Sequence, residues 1–136
     1  MDPADGLVPQ GADGYALTWM DARVDDWVVT PRRGKPVEIN ALWHAALVAL
    51  AALAPRIGRD PAAWRERAER VRAAFDRFWN ESTGALFDVL DGPEGHDPAL
   101  RPNQVFAVSL GSGLLDPVRA RRVVDAVGRT LVTSHG

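Results

Sequence analysis

A chain of 136 residues is long enough for one modest domain with a single core. Its composition, 46% apolar and 25% charged, excludes wholesale disorder, and a net charge of −2 argues against electrostatic binding to nucleic acid. Cysteine is absent, which removes disulfide frameworks and thiolate metal sites and leads to the expectation of a reducing, cytoplasmic setting. Met1 is followed by Asp2 and Pro3, with neither a basic region nor an apolar run of the secretory kind.

Residues 1–36 are rich in Gly, Pro and Asp and show no sustained period. They predict an irregular segment with a short extended piece at WVVT and a turn at RRGK, between Pro31 and Pro36. Within this segment LTWMDARVDDW, residues 17–27, places Asp21 directly behind Trp19 and Met20. An ionised carboxylate in such company costs free energy unless its desolvation is offset. Either Asp21 turns out to water, or the chain needs a carboxyl of unusual proton affinity there.

Four helices are predicted in residues 37–136, near 37–54, 61–80, 102–112 and 117–132. Pro36 suits the opening of the first and Pro55 ends it; after Asn40 only His44 is polar, so this helix should be buried on all sides. Its apolar stretch, INALWHAALVALAALA, is interrupted and short for a bilayer, and no membrane partner is expected. The second opens at Asp60-Pro61 and carries Trp64, Ala68, Val71, Phe75, Phe78 and Trp79 on one face, with Glu66 and Arg70 paired on the other. ALFDVLDG, residues 85–92, predicts a short strand or turn. The third helix, through NQVFAVSL, is apolar on most sides. The fourth opens at Asp116-Pro117 with a stripe of Ala120, Val123, Val124, Val127 and Leu131.

The order buried, exposed, buried, exposed predicts a mainly α fold of two inner/outer helical hairpins, as in a two-layer α/α toroid. A four-helix bundle would instead want four amphipathic stripes. Two hairpins cannot close a ring, so the chain is expected to be part of a larger toroid or to associate with copies of itself. The uncovered inner helices would then expose apolar patches.

Polar residues gather at the N-terminal ends of both inner helices, Glu38 and Asn40 in PVEIN and Arg101, Asn103 and Gln104 in RPNQ. Helix N-termini offer free N–H groups and positive potential. With Trp19 and Asp21 feeding into the same end, such a mouth suits a sugar, aromatic faces stacking on C–H surfaces and amides and carboxylates binding hydroxyls. A carboxyl desolvated by Trp19 would keep its proton near neutrality and act as general acid, partnered by a second carboxylate. The plainer readings stand beside this one: Asp21 as a turn or cap residue, Glu38 as a helix-start preference, Asn40 bonded to a neighbouring loop, Arg101 paired with Asp97 or Asp91, and Trp43, Trp64 and Trp79 as core. His44, His96 and His135 lack metal-site spacing, and the chain carries no P-loop or dinucleotide fingerprint, so neither metal nor cofactor is expected.

The phrases LTWMDA, WVVTPRRGKPVEINALW, FWNE, LFDVLDG and RPNQVFAVSL, in this order, resemble the C-terminal amylo-α-1,6-glucosidase region of glycogen debranching enzymes. The resemblance runs from about Asp5 to Gly136. It implies an (α/α)₆ toroid and hydrolysis, with inversion, of the α-1,6-linked glucose at a branch stub of glycogen or another branched α-glucan. It further implies that Asp21 is the general acid, that Trp19, Glu38, Asn40, Arg101, Asn103 and Gln104 surround the sugar, and that the general base is a glutamate beyond LVTSHG. Other toroid glycosidases, glucoamylase-like or trehalase-like, and a noncatalytic glucan-binding helical module are the competing readings.

Overall fold

A computed structural model of the chain describes residues 1–12, 15 and 17–135; parts of the predicted loop segment and residue 136 therefore lie outside the described residues. The N-terminal segment is irregular apart from a small hairpin, β1 (Arg23–Val24) against β2 (Trp27–Val28). β3 (Lys35–Pro36) then leads directly into α1 (Val37–Leu53). A 3₁₀ turn over Ala54–Ile57, with Pro55 in its first positions, ends this run, and Gly58 at φ +69° supplies the left-handed stop. α2 (Ala62–Phe75) follows the Asp60-Pro61 start, where the Asp60 carboxylate accepts from the Ala62 N–H at 2.9 Å.

The middle of the chain is extended. β4 (Trp79–Asn80) pairs with β5 (Ala85–Leu86), and β6 (Val89–Gly92) lies between β3 and β7 (Gly95–Asp97), all antiparallel. Gly34 is obligatory at the crossing onto this sheet: its φ is +123°, and a Cβ there would stand 2.3 Å from the Leu90 carbonyl oxygen. A 3₁₀ turn (Pro102–Val105) opens into the short α3 (Phe106–Ser109), and α4 (Pro117–Leu131) closes the described fold. α4 starts where expected because the Asp116 carboxylate accepts from the N–H groups of Val118 and Arg119 at 2.8 and 3.0 Å.

The core joins α1 and α2 to the sheets and to α4 through Leu7, Leu47, Val71, Phe75, Phe78 and Val123. Phe75 and Phe78 stack tilted with centroids 4.7 Å apart, and burying each fully contributes roughly 1.5–3 kcal/mol. Arg119 and Arg122 of α4 lie 4.9 and 5.1 Å from the Trp79 ring, fixing α4 to β4 by cation–π contact. On the far side Lys35 bonds Asp5 and Asp91 at 2.7 and 2.9 Å, and Arg77 grips the same two carboxylates at 2.6 Å each, tying the N-terminal segment to β6. Burial opposes the charge on Lys35, but these carboxylates together with Asp2 hold its pKa above the ordinary value.

Four expectations change. The second helix, expected near 61–80, ends at Phe75, after which the chain tightens into a 3₁₀ turn (Asp76–Phe78) and Trp79 enters β4. The described residues form helices together with three small sheets, so the fold is mixed rather than mainly α. The third helix shrinks to a 3₁₀ turn and the four residues of α3. Its first turn is drawn tight by the side chains of Asn103 and Gln104, and Gly111 at φ +61° ends it. Finally, α1 is buried on one face only. Leu42, Leu50 and Leu53 of that helix, with Ile57 beyond it, are 43%, 40%, 51% and 74% exposed along a continuous stripe. Val37–Ile57, at 21 residues and mean hydropathy 1.6 in its richest window, is long and apolar enough by length and composition to cross a membrane. The buried Glu38, Asn40 and His44 on its other face belong instead to a helix packed against protein.

His44 is buried and its Nδ1 has no partner. Burial holds its pKa below 6.5, opposed by Glu69 and reinforced by Arg72 across on α2. A folded-state pKa below the unfolded value leaves stability intact above about pH 6.5 and erodes it as the unfolded chain takes up the proton. The urea midpoint is therefore expected to fall between about pH 7.5 and 5.5, and His44→Leu to flatten that decline.

Candidate functional site

Arg32 stands in the loop between β2 and β3 with its side chain fully enclosed. Its five N–H groups are all accounted for. Nε and Nη2 form a fork onto the two oxygens of Asp88 at 2.8 and 2.9 Å. Nη2 and Nη1 form a second fork onto Glu38, the former at 2.7 Å to Oε2 and the latter in closer contact with Oε1. The Asn103 amide, with its oxygen turned to the guanidinium, accepts from Nη1 and Nη2 at 3.2 and 3.1 Å.

Each partner arrives from a different element. Glu38 lies in the first turn of α1, where the helix dipole favours a carboxylate. Asp88 sits between β5 and β6; its carbonyl accepts from the Val37 N–H at 2.9 Å and its N–H donates to the Asp97 carbonyl at 2.8 Å. Asn103 belongs to the 3₁₀ turn before α3, and Met20 Sδ lies 3.1 Å from its amide. Arg101 stands at the edge, 3.6 Å from carboxylate oxygens of both Asp88 and Asp97. Burial pushes the Asp88 carboxyl up, with Arg32 opposing, while the hydrogen bonds that Arg32 donates to Glu38 and Asp88 overcome desolvation and raise the Arg32 pKa.

The polar starts of the first and third helical segments thus do meet, through Glu38 and Asn103, around an arginine. The other sequence-predicted residues are placed differently. Asn40 is wholly buried and bonds Val8 and Pro36, and Gln104 accepts from the Leu86 N–H at 3.1 Å and donates to the Arg101 carbonyl at 3.0 Å. Trp43 donates to the Gly6 carbonyl at 3.3 Å. Trp19 is 67% exposed and does not shelter Asp21.

Asp21 is itself buried, by its own turn. Its carboxylate accepts from the Leu17 N–H at 2.9 Å, the Thr18 N–H at 2.7 Å and the Thr18 hydroxyl at 3.1 Å. Desolvation pushes its pKa up, but these donors outweigh it and hold the carboxyl below the ordinary value, so Asp21 is an anion at neutral pH here. The expectation that it keeps its proton under an indole shield is corrected accordingly: the loop solvates the charge in place of water.

Asp21 opens onto a small concavity of about 50 Å³, which it shares with Arg23, Val28 and the strip Pro31–Arg33. Strand alternation turns Val24 and Trp27 of the β1–β2 hairpin to the opposite face. The same Pro31–Arg33 strip forms one wall of a larger cleft of about 500 Å³, closed by β6, β7, their turn and Arg101. Arg32 therefore underlies two openings, one at the Asp21 turn and one at the β6–β7 hairpin.

Sequence reasoning missed Arg32 and Asp88. The signal for Asp88 was present: in LFDVL it is a lone carboxylate inside an apolar run. Among the described residues, no group of three or more His, Cys, Asp or Glu is arranged to hold a metal ion. A family model described as Amylo-alpha-1,6-glucosidase matches residues 1–136. No curated protein and no solved structure matches the chain.

Replacing Arg32 by Met would strand two buried carboxylates, with an expected loss of about 3–5 kcal/mol in urea denaturation. Arg32→Lys is expected to recover only part of this, because an ammonium cannot fork onto both Glu38 and Asp88.

Proposed function

This chain belongs to the amylo-α-1,6-glucosidase family, and from that premise we propose that it forms the acid-bearing part of an inverting glycoside hydrolase. Its substrate would be the α-1,6-linked glucose at branch stubs of glycogen or a similar α-glucan. The family match over the whole chain carries this reading. The meeting of the TWMD, TPR, VEIN, LFDVL and RPNQ stretches around Arg32 supports it, since motifs far apart in sequence share one buried cluster.

Asp21 would donate the proton to the departing glycosidic oxygen. To do so it must first gain one. A sugar hydroxyl that took up the Thr18 donors while water stayed excluded would weaken two of the contacts that oppose desolvation, and the pKa would move upward, with the Leu17 N–H still holding it back. Water on the opposite face needs a second carboxylate roughly 6.5–9.5 Å from the first. Glu38 and Asp88 are committed to Arg32, so the base is assigned to the glutamate that the family resemblance puts beyond residue 136. The bare stripe on α1 supports a larger helical toroid, in which further helices or a second copy cover Leu42, Leu50, Leu53 and Ile57.

One observation favours a second reading. Asp21 is anionic and bound within its own turn, as suits a noncatalytic module that holds α-glucan without cleaving it.

Glucose release from a branched limit dextrin by the full-length parent separates the two. Asp21→Asn is expected to lower turnover about 10²–10⁴-fold, the usual worth of a general acid; unchanged turnover would remove Asp21 from the mechanism. Thr18→Val, which deletes one donor to the carboxylate, is expected to raise the Asp21 pKa. Because a general acid acts protonated, the alkaline limb of the rate profile should then move to higher pH.

A further inference from the structure

We propose that Met20 is a positioning residue for Asp21: its thioether, seated on the buried Asn103 amide, holds the Asp21 turn against the Arg32 cluster. The catalytic consequence rests on the acid reading above; the seat itself rests on the contact between the two side chains.

The turn has little else to hold it. The donors to the Asp21 carboxylate come from Leu17 and Thr18, which belong to the turn itself. At its exit the Val29 N–H donates to the Ala22 carbonyl at 2.9 Å, again within the loop segment. Leu17, Trp19 and Trp27 are each more than half exposed. Among the described residues, the polar contact that joins residues 17–22 to the body of the fold is made by Met20, whose Sδ lies 3.1 Å from the Asn103 amide.

The other half of this contact is rigid. Asn103 is buried, and its amide oxygen, turned to the guanidinium, accepts from Arg32 Nη1 and Nη2 at 3.2 and 3.1 Å. Rotating that amide would unmake bonds to a buried charge, so it presents one fixed surface. Methionine suits the mobile side: a polarizable sulfur on an unbranched chain adapts its torsions to a partner that cannot move. Met20 directly precedes Asp21, so a displaced thioether takes the carboxyl with it. A misplacement of about 1 Å at a reacting group can cost about 10²-fold in rate.

The seat also governs how dry the carboxyl is. Asp21 shares its small concavity with Tyr15, Arg23, Arg32 and Arg33. Arg32 is engaged by Glu38 and Asp88, Arg23 lies 4.0 Å from Asp26, and Arg33 has an interaction of its own. The principal influences on the Asp21 carboxyl are burial, acting upward, and the donors of its own turn, acting downward. Loosening the seat admits water while the turn keeps its donors, so the upward influence weakens and the pKa falls further. Because a general acid acts protonated, the alkaline limb of the rate profile then moves to lower pH, opposite to the effect of Thr18→Val.

The test is limit-dextrin hydrolysis by the full-length parent and its Met20→Ala, Met20→Leu, Asn103→Ala and Met20→Ala/Asn103→Ala variants, with the Asp21 carboxyl carbon titrated by NMR in the same proteins. Met20→Ala is expected to lower kcat about 10–100-fold with KM little changed, and to move both the alkaline limb and the Asp21 titration to lower pH. Met20→Leu, which restores most of the side-chain volume, should recover most of the kcat. Should Met20→Ala fail to fold, Met20→Val, too short to reach the amide, is read in its place. The double variant should be little worse than the poorer single one, since both substitutions remove the same contact. Additive losses overturn the proposal, as does a loss confined to KM, which would make Met20 a substrate contact. If Asp21→Asn abolishes turnover while Met20→Ala alters neither kcat nor the titration, the acid reading stands and the seat falls. If Asp21→Asn leaves turnover intact while Met20→Ala still lowers the Asp21 titration, the seat stands and the acid reading falls.

Discussion

Arg32 carries a full charge into a place almost without water, and two carboxylates, one amide and the starts of two helical segments are arranged so that it can stay there. Desolvating a guanidinium and two carboxylates costs several kcal/mol per ion, which mutual attraction offsets only when geometry is good and no donor is left over. Here both forks are bidentate and the fifth N–H finds Asn103. A lysine with three donors on a point charge has no equivalent arrangement. The cluster therefore ties the 29–34 loop, the α1 start, the Asp88 link and the 3₁₀ turn at Pro102 to one another through a single side chain.

That fixed placement creates the two openings. The Pro31–Arg33 strip is held from below by the ion cluster and from the side by Gly34, whose missing Cβ lets the chain pass against the Leu90 carbonyl. One edge of the strip then faces the Asp21 turn and the other faces the β6–β7 hairpin, itself anchored through Lys35, Arg77 and Asp91. A wall supported on both sides can present groups to a ligand without having to order them on binding, which is where loop-borne sites otherwise lose affinity.

The legible parts of the sequence were those where covalent geometry leaves little choice. Pro36, Pro55, Asp60-Pro61 and Asp116-Pro117 set helix limits by removing N–H donors or supplying a cap: α1 begins and ends close to the first two, and α2 and α4 begin close to the others. The third segment was misjudged because its apolar pattern says nothing about Asn103 and Gln104, whose side chains are claimed by Arg32 and by the Leu86 N–H. Burial around α1 was overestimated for a related reason: composition shows that a surface wants cover, not that cover is present within residues 37–135. In the site, one rule was applied to the wrong residue. A lone carboxylate among large apolar side chains does signal unusual electrostatics, and Asp88 fits it, with burial raising its pKa; Asp21, four residues after Leu17, instead closes a turn that satisfies its charge locally.

The contrast between these two aspartates separates what a rigid cluster can supply from what a loop can. Asp88 is bound to groups on other elements, and changing its protonation would require dismantling contacts that define the fold. The Asp21 carboxylate is held by donors from Leu17 and Thr18, in the turn that carries Met20 to the Asn103 amide. The cluster can thus fix where the turn stands while leaving its internal hydrogen bonds open to competition. At Asp21 desolvation pushes the pKa up while donors from its own turn outweigh it, and those donors are local. Drawing off the Thr18 N–H and hydroxyl needs no rearrangement of the core, only an oxygen that competes for them, and the Leu17 N–H keeps its place on the carboxylate. The capacity to act as an acid would therefore lie in the exchange of loop donors for substrate, and the fixed ion cluster beneath would keep the carboxyl in position while the exchange occurs.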